Sequence, residues 1–156
     1  MLAVELEVIV YPGAGTGWHR EVTAAPTWPQ IEAAVRRLDR AEYPFLNIVL
    51  PRAEREADLW VLNVIGGQGE YGLSGNDGRW RERWRFRDPT RPCGQDLIDI
   101  WITDQGASFE EAYLCNDLAV VLRVCRHFAE TGQLDEGVAW ERWPAEPGAA
   151  ADGPRL

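Results

Sequence analysis

The chain has 156 residues, enough for one domain with a core of its own. All 16 basic residues are arginine, set against 25 acidic ones, for a net charge of −9. That balance disfavours a membrane surface or nucleic acid as the main partner and suits a soluble protein that meets a basic one.

The opening MLAVELEVIV carries Glu5 and Glu7 inside its apolar run and no basic flank, so it reads as neither a signal peptide nor a membrane span. Leu2, Val4, Leu6, Val8 and Val10 alternate with mostly polar residues, which predicts a strand over 2–11 with one buried face. Pro12 and the glycines after it break the strand, and 12–26 reads as a loop carrying Trp18 and His19. Thr27 and Gln30 have capping-box form ahead of a helix over 28–39, with Ile31, Ala34, Val35 and Leu38 on one stripe. Phe45–Leu50 is a strongly apolar strand, and the charged turn after it clusters Glu54, Glu56 and Asp58.

Leu59–Ile65 is apolar on both alternating faces, the mark of a central strand with helices on at least one side. The glycines that follow match G-x-G-x-x-G from Gly67 to Gly72, the spacing of a dinucleotide-binding turn. That turn needs a helix N-terminus straight after it, and Leu73-Ser74-Gly75-Asn76-Asp77-Gly78 forms turns instead. The glycines are therefore read as permitting positive φ in a tight or bulged hairpin.

In Arg79–Arg87 the arginines at odd positions share one face, opposite Trp80, Glu82, Trp84 and Phe86. Such a ladder can be a nucleic-acid platform. It can equally be a strand with an aromatic core face and a solvated outer face, whose arginines meet carboxylates on the neighbouring strand. Residues 79–91 carry six arginines against Glu82 and Asp88, a net +4, so the rest of the chain carries −13. Phosphate would have to enter that repulsive field, which favours the packed strand.

Leu97–Thr103 is a further strand, Asp104-Gln105-Gly106 a turn, and 108–115 a short strand containing Glu110 and Glu111. Asn116 is placed as the cap of a second helix over 117–131, buried along Leu118, Val121, Leu122, Cys125 and Phe128 and ended at Gly132. Val138-Ala139-Trp140 closes the domain as a short strand, giving one domain over 1–143 and a flexible tail over 144–156. The order of elements predicts an α+β fold: a mostly antiparallel sheet with two main helices packed on one face.

Reactive chemistry has few candidates. His19 and His127 stand without a nucleophile in a recognisable setting. His127–Glu130 is H-x-x-E rather than the H-x-E of a zinc deaminase, and Pro92-Cys93 lacks a second cysteine three positions on. Cys93, Cys115 and Cys125 are odd in number, lack C-x-x-C spacing, and read as reduced thiols of a cytoplasmic protein. Neither a cofactor nor a metal is expected. The plentiful carboxylates leave open a small acid–base enzyme near Gly66–Gly69, a solvated acidic surface, or an acidic surface that steers a basic partner.

Several short stretches resemble one family. Leu38-Asp39 ends the first helix, an apolar strand runs into Gly66-Gly67, and Asp77-Gly78 marks a hairpin. Phe128-Ala129-Glu130-Thr131-Gly132 is then followed by Val138-Ala139-Trp140-Glu141. In order and spacing, over about 27–142, these are similar to immunity proteins of bacterial polymorphic toxin systems, Imm family one, usually encoded beside toxins with a nucleic-acid deaminase domain. The resemblance implies an α+β, non-enzymatic, cytoplasmic protein that binds and neutralises a cognate toxin domain, one chain per toxin rather than a homo-oligomer. Gly66, Gly67, Gly69, Gly132 and Trp140 fall on its structural motifs. Toxin contact is expected at Glu54, Glu56, Asp58, Asp104, Glu110 and Glu111, whose carboxylates can mimic a phosphate backbone.

Overall fold

A computed structural model describes residues 1–13, 17–55, 59–78, 82–94, 97–102 and 105–144. Among the described residues, nine strands and two α-helices run in the order β1 (Glu5–Val10), β2 (His19–Ala24), α1 (Trp28–Arg37), β3 (Phe45–Val49), β4 (Val61–Gly67), β5 (Glu70–Asn76), β6 (Glu82–Arg87), β7 (Leu97–Ile102), β8 (Gln105–Glu110), α2 (Leu118–Thr131) and β9 (Ala139–Pro144). Seven of the strands form one antiparallel sheet, ordered β2-β1-β3-β4-β5-β6-β9. β7 and β8 pair only with each other. The protein is α+β, as its pattern of elements predicts.

Alternation along the strands gives the sheet two unlike faces. Val4, Leu6, Val8 and Val10, Leu46 and Ile48, Leu62 and Val64, and Tyr71 and Leu73 point to one side. There they meet Ile31, Ala34 and Val35 of α1 and Val121, Val124, Cys125 and Phe128 of α2 in one core. The opposite face keeps a small second core of Ile9, Phe45 and Ile65 under Leu114, with Phe109 of β8 packed against it. The β7–β8 hairpin thus lies across the back of the sheet, a layer that the sequence reading does not contain. β4 accordingly has both faces buried, and all seven of its residues are inaccessible.

The end of β4 explains the glycines. Gly67 and Glu70 pair across a two-residue turn in which Gln68 and Gly69 both have positive φ, 54° and 88°. That is the turn geometry whose twist suits an antiparallel hairpin. Gly67 has a further reason: with φ at 129°, a Cβ there would stand 2.3 Å from the carbonyl oxygen of Leu38, where the chain leaves α1. The close approach lets the Arg40 N–H donate to the Gly66 carbonyl at 3.0 Å. Helix and sheet are therefore joined backbone to backbone.

Three local expectations need correction. Residues 19–24 are not loop but strand β2. Their side chains are mostly exposed on both faces, so no apolar alternation announces them. The cap of α2 is Asp117 rather than Asn116, its carboxylate accepting from the Ala119 N–H at 2.9 Å. The strand placed at 108–115 is β8 followed by a short 3-10 turn over Glu111–Tyr113. At α1 the Gln30 side chain accepts from the Thr27 N–H at 2.8 Å, as the capping-box spacing requires. The tail beyond 144 lies outside the described residues.

Gly67→Ala is expected to lower stability by more than about 3 kcal/mol, since backbone cannot yield to the new methyl group. Gly69→Ala, with open space around it but a left-handed backbone, should cost about 1 kcal/mol. Thermal unfolding of the two variants checks this, and equal losses would contradict the assigned contact.

Candidate functional site

The arginine ladder is built into the sheet. Arg83, Arg85 and Arg87 point to the back face, and Arg85 lies directly opposite Glu141 of β9. Their side chains meet at 3.1 Å, and Arg87 reaches the other oxygen of the same carboxylate at 4.0 Å. Tyr113 covers both: the Arg85 guanidinium lies 3.4 Å from its ring centre, that of Arg87 5.3 Å, and the phenol donates to Glu141 at 3.4 Å. The Arg85 hydrogen bond holds the Glu141 carboxyl below its usual range against an opposing desolvation. Burial, then the bond to Glu141, pushes the Tyr113 phenol up. On the other side of the strand Phe86 meets Trp140 edge to face, ring centres 6.4 Å apart. This is the packed strand of the sequence reading, with its carboxylate partner on the next strand. Arg79, Trp80 and Arg81 lie outside the described residues.

A second arginine closes the adjoining end of the molecule. Arg91 holds Glu70 through two bonds, at 2.8 and 3.0 Å, and donates to Glu111 at 3.0 Å and to the Leu114 carbonyl at 3.3 Å. Its side chain is 12% exposed. The fork geometry of guanidinium on carboxylate makes such contacts strong and directional. The Glu70 bond leads the effects that raise the Arg91 pKa above its ordinary value. Two carboxylates beside the Gly66–Gly69 turn thus do converge, but the space between them is filled by a guanidinium.

The six acids expected to touch a partner do not form one patch. Glu56, Asp58 and Asp104 lie outside the described residues. Glu54 sits exposed in a 3-10 turn over Arg52–Glu54, at the β4 end marked by Val61. Glu110 and Glu111 belong to the opposite end, near Gly67, about 20 Å away along a seven-residue strand. Glu111 is committed to Arg91; Glu110 is half-buried with no ion pair among the described residues. Among the described residues, Glu5, Glu42, Glu54, Asp99, Asp117 and Glu136 are exposed acids that take part in no ion pair. Sequence reasoning passed over Glu5, Glu42 and Glu70, because pairing across strands decides which carboxylates are neutralised.

The structural motif residues have clear duties. Gly132 takes φ of 73° at the end of α2, its N–H donating to the Phe128 carbonyl at 2.8 Å. The Trp140 indole N–H donates to the Asp135 carbonyl at 2.8 Å. Asp135 in turn accepts from Arg123 and from the Gly137 N–H, each at 2.8 Å. The Arg123 bond leads in holding its carboxyl below the usual range. Cys93 is exposed while Cys115 and Cys125 are buried, all three are free thiols, and burial pushes the Cys125 thiol up to about 12. No cluster of three or more metal-ligating side chains occurs among the described residues. No described helix is long and apolar enough to cross a membrane.

No protein-family model and no curated protein matches the chain. Among solved structures it is similar to a hypothetical protein from Neisseria gonorrhoeae, at 8% identity and a TM-score of 0.56, covering 85% of this chain and 91% of that one. At that identity the likeness concerns the fold.

Arg91→Met should lower stability by about 3 kcal/mol, because it leaves two carboxylates facing one another without their cation. Arg123→Met, which removes a guanidinium 54% exposed, should cost under about 1 kcal/mol. Chemical denaturation compares them, and losses of similar size would contradict the clamp.

Proposed function

We propose that this protein is an immunity protein, which binds a cognate toxin domain with a nucleic-acid deaminase activity and blocks its substrate cleft in the cytoplasm of the producing cell. The observation that carries this reading is the distribution of charge. Arg85, Arg87 and Arg91 are turned onto Glu141, Glu70, Glu111 and Tyr113. Their charge is met within the fold, while the chain as a whole carries a net −9. An enzyme that acts on nucleic acid needs a basic groove for the phosphate backbone. An acidic protein of fixed shape competes for that groove, and complementary potentials speed its arrival. The motif resemblance around Gly66-Gly67, Gly132 and Trp140 supports the same reading.

The contact is best placed at Glu54, which is exposed and outside any ion pair among the described residues, together with Glu56 and Asp58 that follow it in the chain, and the half-buried Glu110 serves as a second point. Glu111 acts indirectly, by holding Arg91 and so the segment that leads into β8's end. An interface of standard size, roughly 800 Å² per partner, with aromatic anchors at its centre would suffice.

Mixed in equal amounts with the deaminase domain encoded beside it, the protein should abolish deamination of a nucleic-acid substrate. The double charge reversal Glu54→Arg with Glu110→Arg should slow association about tenfold while leaving the fold intact. Deamination that continues undiminished in the presence of excess protein would refute the reading.

A further inference from the structure

Strand β2 forms one end of the sheet and is hydrogen-bonded to β1 alone. Such an edge ordinarily invites pairing with another chain unless it is shielded. The Ala25 N–H donates to the Val4 carbonyl at 3.0 Å, so by alternation the N–H and C=O groups of Arg20, Val22 and Ala24 point away from β1, on the side where no described strand pairs with them. The same edge carries exposed apolar side chains: Trp18 is 49% exposed and Val22 47%. Val22 and Arg20 lie on the back face with Glu7, and one further step of alternation puts Trp18 there as well. His19 and Glu21 lie on the helix face, where Glu21 meets Arg37 of α1 at 3.3 Å.

We propose that β2 pairs with β2 of a second copy of this chain, antiparallel, about a twofold axis through Arg20. In that register Trp18 faces Val22 of the other copy on the back face, and His19 faces Glu21 on the helix face. Aromatic against β-branched and base against acid are both favourable cross-strand neighbours. The two Arg20 side chains at the axis each bring a Glu7 carboxylate at 3.2 Å, so ion pairs meet there rather than bare cations. Moving the axis to Glu21 sets Glu21 against itself. Moving it to Val22 sets Trp18 against Pro26, which has no N–H to pair. The segment is thus self-complementary about Arg20, which is the reason for choosing a second copy as its occupant. One strand edge buries less than the roughly 800 Å² per partner of a standard interface, so the dimer is concentration-dependent. This inference is independent of the toxin reading.

Sedimentation equilibrium of the full chain tests it, at about 0.15 M salt, where repulsion between two acidic chains is screened over about 8 Å. The mass should rise with concentration from 17.6 kDa toward twice that value. Val22→Pro removes an outward N–H without touching the β1 ladder and should hold the chain monomeric. Trp18→Glu alters only an exposed side chain and should do the same, which covers the case in which the proline variant does not fold. A mass that stays at 17.6 kDa up to about 1 mM, or a Trp18→Glu variant that dimerises like the parent, overturns the proposal. So does a chain that is monomeric alone and has β2 covered only in the toxin complex.

Discussion

The backbone of Gly67 against the backbone of Leu38 is the contact on which the arrangement of layers depends. It occurs where β4 ends and α1 has just released the chain, and it leaves no room for a side chain. Because the two backbones touch, α1 is seated at a fixed height over β1, β3 and β4, and the rest of the core fills around it. The same hairpin carries Glu70, the acid that anchors Arg91 on the far side of the turn. One tight turn therefore ties the helix layer, the sheet and the segment beneath the β7–β8 hairpin together.

Charge is organised by the same sheet. A row of arginines on one strand would be expensive to leave unmatched on a packed face, and β9 supplies Glu141 at the opposite position in the register. Tyr113 closes over the pair. Arg85, Arg87 and Arg91 are thus matched within the fold.

The fold was largely legible in the sequence, for reasons that can be named. The two-sided apolar run before Gly66 could only be a central strand, and the stripes Ile31–Leu38 and Leu118–Phe128 could only be helices packed on it. Gly132 announced the end of α2. What escaped was strand β2, whose exposed faces give no periodic signal, and the position of the β7–β8 hairpin on the back of the sheet. A hairpin's local pattern says that two strands pair but not what they lie against. The site was less legible still. Clusters of acids along the chain, such as Glu54 beside its neighbours or Glu110 beside Glu111, do not remain one surface after folding. Whether a carboxylate is matched depends on residues tens of positions away, as Glu70 with Arg91 and Glu141 with Arg85 both show.

The central claim is that the unmatched acidic surface draws in a basic partner. The most direct measurement is the rate of association with a deaminase toxin domain of the class proposed as its partner, followed as salt is raised from about 20 mM to about 300 mM. The account predicts a rate constant that falls tenfold or more over that range, with dissociation little changed. A rate constant insensitive to salt would contradict it.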